Sequence, residues 1–197
     1  MSAHGAGRSR FSAPRASRIW VEEEYIRAAV GGTGFAKCGG NYSRGMIAAT
    51  EAKKQGCEEV LWLDAKEHKY VEEVGTSNAC FKINGKVYTS SLTGSILPGV
   101  TRDSAIRLMK KWGVEVEEKR LEIDDLLAAA ADGSLTEAWA TGTACVVSPI
   151  GLLRYRGENF PINGEKVGEL SQKLYDTLYG MQTGTAPDVM GDWVVTL

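Results

Sequence analysis

Histidine is nearly absent from this chain of 197 residues: there are two, His4 and His68. His4 lies in an opening stretch rich in serine and arginine and His68 in a run of charges, so neither supports a histidine-based catalytic triad. Cysteine is scarce as well. Cys38, Cys57, Cys80 and Cys145 show no CxxC spacing and have no histidine beside them, which argues against a metal site and leaves free thiols in a reducing compartment as the expectation. No apolar run approaches the ~20 residues needed to span a bilayer. Nor is there an excess of one charge: 23 Lys+Arg against 25 Asp+Glu give a formal net charge of −2. That balance offers no electrostatic case for nucleic acid or for an anionic membrane as partner. What is there, 43% hydrophobic and 24% charged residues, fits an ordinary globular protein of one domain or two small ones, with ample length for a core.

Composition changes along the chain at one place. Residues 1–18 hold Arg8, Arg10, Arg15 and Arg18, several serines and no acid. They read as a disordered tail, an interdomain linker or an organellar targeting segment, and the residues alone leave these open. The expected compartment is accordingly the cytoplasm, or the mitochondrion if the stretch is a transit segment. Residues 19–197 read as one domain. Within them the run Gly31 to Tyr42, GGTGFAKCGGNY, stands out because five of residues 31–40 are glycine and a single lysine, Lys37, sits among them. Glycine lets a backbone approach a ligand or another segment closely. A lone lysine in such a setting suggests chemistry at its amine.

The periodicities predict a mixed α and β chain (α+β). Ile19–Tyr25 reads as a short strand or a linker packing against the body, and Asn41 as the cap of a helix running to about Gln55, packed through Met46, Ile47, Ala49 and Ala52. Strands are expected at Val60–Leu63, Tyr70–Val74, Cys80–Ile83 and Lys86–Thr89, the last two joined by the hairpin turn Asn84-Gly85. A helix from about Thr101 to Trp112 is stopped by Gly113, and Val114 and Val116 alternate as a half-exposed strand. A helix over Ile123–Ala131 follows. Thr136–Thr141, Cys145–Pro149 and Leu152–Tyr155 read as three strands separated by Gly142 and Gly151. A final helix over Val167–Met181 carries a clean apolar stripe, and Trp193–Leu197 reads as an edge strand.

Three stretches have the chemistry to hold phosphate. Pro98-Gly99-Val100-Thr101 opens a helix, whose free N–H groups and dipole favour an anion. Thr141-Gly142-Thr143-Ala144 is a glycine turn flanked by hydroxyls. Gly31-Gly32-Thr33-Gly34 lacks the spacing of a P-loop or a dinucleotide fingerprint. In VEEVGTSN, strand alternation puts Glu72 and Glu73 on opposite faces, with Glu72 read as the surface charge and Glu73 as the inward one. A buried glutamate needs a cationic or protonated partner, for which Lys37 or a protonated ring nitrogen of a cofactor would serve.

Taken together, GGTGFAKCGGNY, EEVGTSN, GSILPGVTRD and TGTACVVSP occur in the order found in branched-chain aminotransferases, and the resemblance runs from about Ile19 to Leu197. It implies the class IV fold of pyridoxal-phosphate enzymes, specifically the large C-terminal domain of the D-amino acid aminotransferase-like fold. The implied cofactor is pyridoxal 5'-phosphate. Lys37 matches the lysine bonded to the cofactor aldehyde, and the chemistry needs its free amine, which a partly desolvated setting favours. Tyr42 matches the tyrosine that donates to the cofactor's phenolic oxygen, and Glu73 the acid facing its ring nitrogen. Thr76 and Asn78 would orient the ring. Gly99, Val100 and Thr101 would take the phosphate, with the Thr143 hydroxyl, and the Thr143-Ala144 backbone would meet the substrate carboxylate. The implied reaction passes an amino group between leucine, isoleucine or valine and 2-oxoglutarate, and family members dimerise.

The sequence departs from that family in three places. The family's smaller N-terminal domain, which supplies a phosphate-binding arginine and pocket aromatics, is expected to be missing here; Arg8, Arg10, Arg15 and Arg18 are the only arginines near the start. Ser77 and Cys80 replace a methionine and an aromatic. A redox CxxC of some members reads Cys145-Val146-Val147-Ser148. Three readings therefore stay open: a working transaminase, a cofactor-binding module of low or no turnover, and a D-amino acid aminotransferase or aminodeoxychorismate lyase on the same fold.

Overall fold

The computed structural model describes residues 14–195. Along them run strands β1 (Ser17–Val21), β2 (Glu59–Leu63), β3 (Val71–Val74), β4 (Ser77–Ile83), β5 (Lys86–Ser90), β6 (Val116–Lys119), β7 (Leu135–Gly142), β8 (Val146–Tyr155) and β9 (Glu158–Pro161). The helices are α1 (Gly39–Ser43), α2 (Gly45–Lys54), α3 (Val100–Lys111), α4 (Ile123–Ala131) and α5 (Glu169–Thr183). β1 lies parallel to both β2 and β8. Antiparallel pairings then link β2 to β3, β3 to β4, β4 to β7 and β7 to β8, so six strands close a ring. Closure leaves none of the six with an open edge along its whole length. β5 pairs with β4 at Cys80–Ile83, beyond the reach of β3, and carries β6; β9 pairs with β8.

Period-two alternation sorts the side chains of this ring. Ile19, Val21, Leu61, Leu63, Ala79, Phe81, Ala138 and Ala140 join one buried cluster, to which α4 adds Leu126 and Ala129. The intervening residues face outward against helices. Val60 and Trp62 pack on Ala48 and Ala52 of α2. Cys80 and Trp139 pack with Ala105, Leu108 and Met109 of α3 and with Leu174 and Leu178 of α5. A ring of this width is filled by its own side chains, so any ligand site must lie at a strand end.

Most expected elements are present, and the differences have physical reasons. The first helix breaks into α1 and α2, and Asn41 is not its cap: Cys38 holds that position while the Asn41 amide is buried, donating to the Thr33 and Ala36 carbonyls. Met46 and Ile47 are exposed, at 69% and 57%, and it is the small Ala48 and Ala52 that pack under Trp62. Gly151 does not end a strand but lies within β8, where a Cβ would come within 2.9 Å of Glu165 Cα. β9 has no counterpart among the expected strands. The C-terminal stretch forms no strand among the described residues; Trp193 packs against the α3–α5 cluster, and Thr196 and Leu197 lie outside them. Met1–Ala13, including His4, Arg8 and Arg10, also lie outside the described residues. Arg15 and Arg18 engage Glu58 and Glu165.

Candidate active site

Four backbone segments meet at one end of the ring: the loop bearing Lys37, the β3–β4 turn at Thr76, the β7–β8 turn at Gly142–Cys145, and the start of α3. A cavity of about 230 Å3 between them is lined by Lys37, Thr76, Asn78, Leu97, Gly99, Val100, Thr101, Thr141 and Thr143, among others. A second, of about 450 Å3, shares Lys37, Thr76, Gly142 and Thr143 and adds Ala144, Ser77, Glu58 and Glu59. Residues drawn from four distant stretches thus share one hollow, as expected from the motifs. Gly31-Gly32-Thr33-Gly34 lines neither.

Tyr42 is held on α1 beside the lysine, with Lys37 Nζ 5.0 Å from its ring centroid. Its hydroxyl is buried and has no hydrogen-bond partner. The Thr141 hydroxyl, inside β7 and on the cavity wall, is likewise buried and unpartnered. Lys37 itself is exposed in this chain, as are Thr76, Thr143 and Ala144, which differs from the expected desolvated setting. The site is an open hollow with one deeply buried wall.

Neither acid of β3 lines the two lysine cavities; Glu73 reaches the smaller one only through Leu97, whose N–H it accepts. Glu72 is buried along with Glu73, contrary to its reading as a surface charge. The reason is a register shift where β3 meets β2, which breaks strict alternation. Glu73 Oε1 accepts the Leu97 N–H at 2.8 Å, and Oε2 lies 3.2 Å from Arg27 Nε, with both side chains 2% exposed. Arg27 also donates to the Ser95 carbonyl at 2.8 Å and to the Gly34 carbonyl at 3.4 Å. The Ser95 hydroxyl in turn donates to Glu72 Oε1. Arg27 is therefore the cation that the buried acid required, in place of Lys37. Sequence reasoning missed it, although an arginine inside the apolar YIRAAV stretch just before the glycine run was the available signal. Burial pushes the Glu73 carboxyl up to about 7, against the lowering pull of Arg27 and the Leu97 amide; Glu72 adds to the rise.

The glycines around Lys37 have a packing role. A Cβ on Gly34 would sit 2.2 Å from the Ser95 carbonyl oxygen, a backbone atom that cannot turn aside. Gly34→Ala is accordingly expected to push the lysine loop off the Ser95 segment and to break the Arg27 bridge between them. We expect affinity for pyridoxal phosphate to fall at least about tenfold, the size of a lost charged hydrogen bond. Equilibrium titration of the cofactor onto both proteins checks this, and unchanged affinity would show that the close approach is immaterial.

The donors present suit pyridoxal phosphate. Gly99 is the N-cap of α3, and the helix's first N–H groups, those of Val100 and Thr101, border the cavity at the positive end of a twelve-residue helix. The Gly99 backbone lies so close to the Asn78 amide that a Cβ would come within 2.1 Å of its oxygen. A buried carboxylate, an unpartnered phenol, an unpartnered threonine hydroxyl and a free amine complete a set with one partner for each polar group of that cofactor.

Comparison with known proteins identifies the family. The family model described as amino-transferase class IV matches residues 36–153. The chain is 52% identical over 179 residues to a probable branched-chain-amino-acid aminotransferase of Staphylococcus aureus, covering 91% of this chain and 50% of that protein. It is 52% identical over 167 residues to branched-chain-amino-acid transaminase 1 of Bacillus subtilis, covering 85% and 47%. The chain thus spans about half the length of the curated relatives it matches. Among solved structures, the branched-chain amino acid aminotransferase of T.th. complexed with N-(5'-phosphopyridoxyl)-L-glutamate superposes with a TM-score of 0.76 at 31% identity, over 92% of this chain and 56% of that one. The Escherichia coli branched-chain enzyme gives 0.75 at 28% identity, over 91% and 57%.

Proposed function

The chain belongs to the class IV aminotransferases, and from that premise we propose that it binds pyridoxal 5'-phosphate covalently at Lys37 and serves transamination between branched-chain L-amino acids and 2-oxoglutarate. The observation that carries this reading is that Lys37 and the α3 N-terminus line one hollow, with the buried Glu73–Arg27 pair behind it, tied to its wall through the Leu97 N–H. When bound, the cofactor supplies an electron sink that makes the α-proton of an amino acid removable.

Each residue then has a task set by its place. Lys37 Nζ would hold the cofactor and, once free, would carry the proton from the substrate Cα to the cofactor carbon that bore the aldehyde, and in the opposite direction for the second substrate. Glu73, fixed by the Leu97 amide and Arg27, would face the ring nitrogen. The Tyr42 hydroxyl would donate to the phenolic oxygen. The Val100 and Thr101 amides, with the Thr143 and Thr141 hydroxyls, would hold the phosphate. The Thr143-Ala144 turn would meet the substrate carboxylate. The choice of branched-chain substrates rests on the similarity to the named relatives.

A second reading is favoured by one observation: Lys37, Thr76, Thr143 and Ala144 are open to solvent, whereas this chemistry profits from excluding water. On that reading the chain binds cofactor with little turnover. Incubation with pyridoxal phosphate, borohydride reduction and peptide mass analysis, followed by a leucine plus 2-oxoglutarate assay, separates the two. A Lys37 adduct with glutamate formation supports the first, an adduct without turnover the second, and no adduct removes both.

A further inference from the structure

A cavity of about 590 Å3 lies away from the lysine site, between Ala29–Val30, the connection from β2 to β3, and the segment after β5. It shares no lining residue with either Lys37 cavity. Its volume suits a small organic ligand. Val30, Val71 and Ile96 give it apolar surface, and four of its charged residues need no further partner or stand at the rim. Asp64 accepts the N–H groups of Lys66, Glu67, Lys69 and Tyr70. Arg120 lies 3.5 Å from the Tyr70 ring centroid and pairs with Glu67 at 3.3 Å. Lys66 is exposed.

Glu72 is the exception. It is 5% exposed, lines the cavity and makes no ion pair among the described residues. Its Oε1 accepts the Ser95 hydroxyl, while Oε2 is buried with no hydrogen-bond partner. Arg27, on the other side of Ser95, already serves Glu73, Gly34 and Ser95. A buried carboxylate oxygen left unpaired costs free energy that a cationic donor recovers. An anion finds no such opening, since Arg120 is engaged.

We propose that this cavity is a second ligand site, for a small molecule with a cationic head and a short apolar body, the head on Glu72 Oε2 and the body against Val30, Val71 and Ile96. The inference stands apart from the transaminase reading and holds or fails without cofactor. The test is an NMR titration of the full chain with butylguanidinium, a cation with no amine to react elsewhere. Saturable shifts at residues 64–72 and 90–96 are expected, with butylurea, the neutral isostere, binding at least about tenfold more weakly. Glu72→Gln should weaken butylguanidinium binding to a similar degree, and Ala65→Phe, which fills the cavity from its rim, should do so with the acid intact. Absence of saturation, shifts centred on Lys37 and Thr143, equal binding of butylurea, or full affinity in Ala65→Phe would each overturn the proposal. Should Glu72→Gln not fold, the urea and the Ala65 variant decide.

Discussion

Lys37→Ala is expected to abolish the borohydride-trapped adduct and to lower leucine-dependent glutamate formation by at least about a thousandfold. Two roles are lost together, the covalent hold on the cofactor and the proton carrier at the substrate Cα, and general acid–base catalysis alone contributes on the order of 10²–10⁴. Folding should be unaffected. Lys37 is exposed, makes no ion pair among the described residues, and touches only the Tyr42 ring through its charge. Thermal melting of the cofactor-free variant should match the parent within the usual range for a surface substitution. Cys145→Ser is the contrasting case. Cys145 lies in the turn next to Thr143 but is placed in none of the proposed roles, with weak sulfur contacts to the Ser77 hydroxyl at 3.8 Å and the Gly142 carbonyl at 3.9 Å. It should retain nearly all activity. A Lys37→Ala protein as active as its parent would end the proposed mechanism, and one that lost its fold would show that the lysine has a structural role.

How much of this was legible beforehand follows from how locally each feature is specified. The Asn84-Gly85 hairpin, α3 ended by Gly113 and the stripe of α5 were readable because turn chemistry and periodicity are properties of neighbouring residues. The closed ring was not, since it depends on β1 reaching β8 across more than a hundred residues. Motif order brought Lys37, Thr76, Asn78, Gly99 to Thr101 and Thr143 onto the page before any geometry, and they do share a cavity. The supports behind them were hidden. Alternation in VEEV is a two-residue rule, and a single register shift was enough to bury Glu72 with Glu73. Arg27 lies in no motif, and Ser95 and Leu97 sit inside GSILPGVTRD without a role of their own; they matter because the fold brings both segments to the acids of β3. Asn41 looked like a cap by residue type, but its amide instead ties the loop from Thr33 to Ala36.

The buried pair offers a measurement in which two changes at one contact should behave unequally. In the cofactor-free chain, Glu73→Ala leaves the Arg27 guanidinium buried with only the Ser95 and Gly34 carbonyls, and that cation cannot shed its proton. Breaking a buried ion pair from one side costs about 3–5 kcal/mol, and this variant should lie in that range. Arg27→Met should cost less, about 2 kcal/mol, because Glu73 can neutralise itself by taking up a proton; its carboxyl already stands at about 7 through burial. The double variant Arg27→Met/Glu73→Ala removes both charges and should be no less stable than Glu73→Ala alone, a clear departure from additivity in a urea-denaturation cycle. The pH dependence follows from the same carboxyl. Its pKa is higher folded than unfolded, so between about 4.5 and 7 the native state binds more protons and stability must fall as pH rises through that window. Glu73→Gln, which keeps the hydrogen-bonding shape without the titration, should reduce that slope, leaving the part due to Glu59 and Glu72, whose carboxyls burial also raises. Additive single losses, or a slope unchanged in Glu73→Gln, would show that Arg27 and Glu73 are neighbours without being partners.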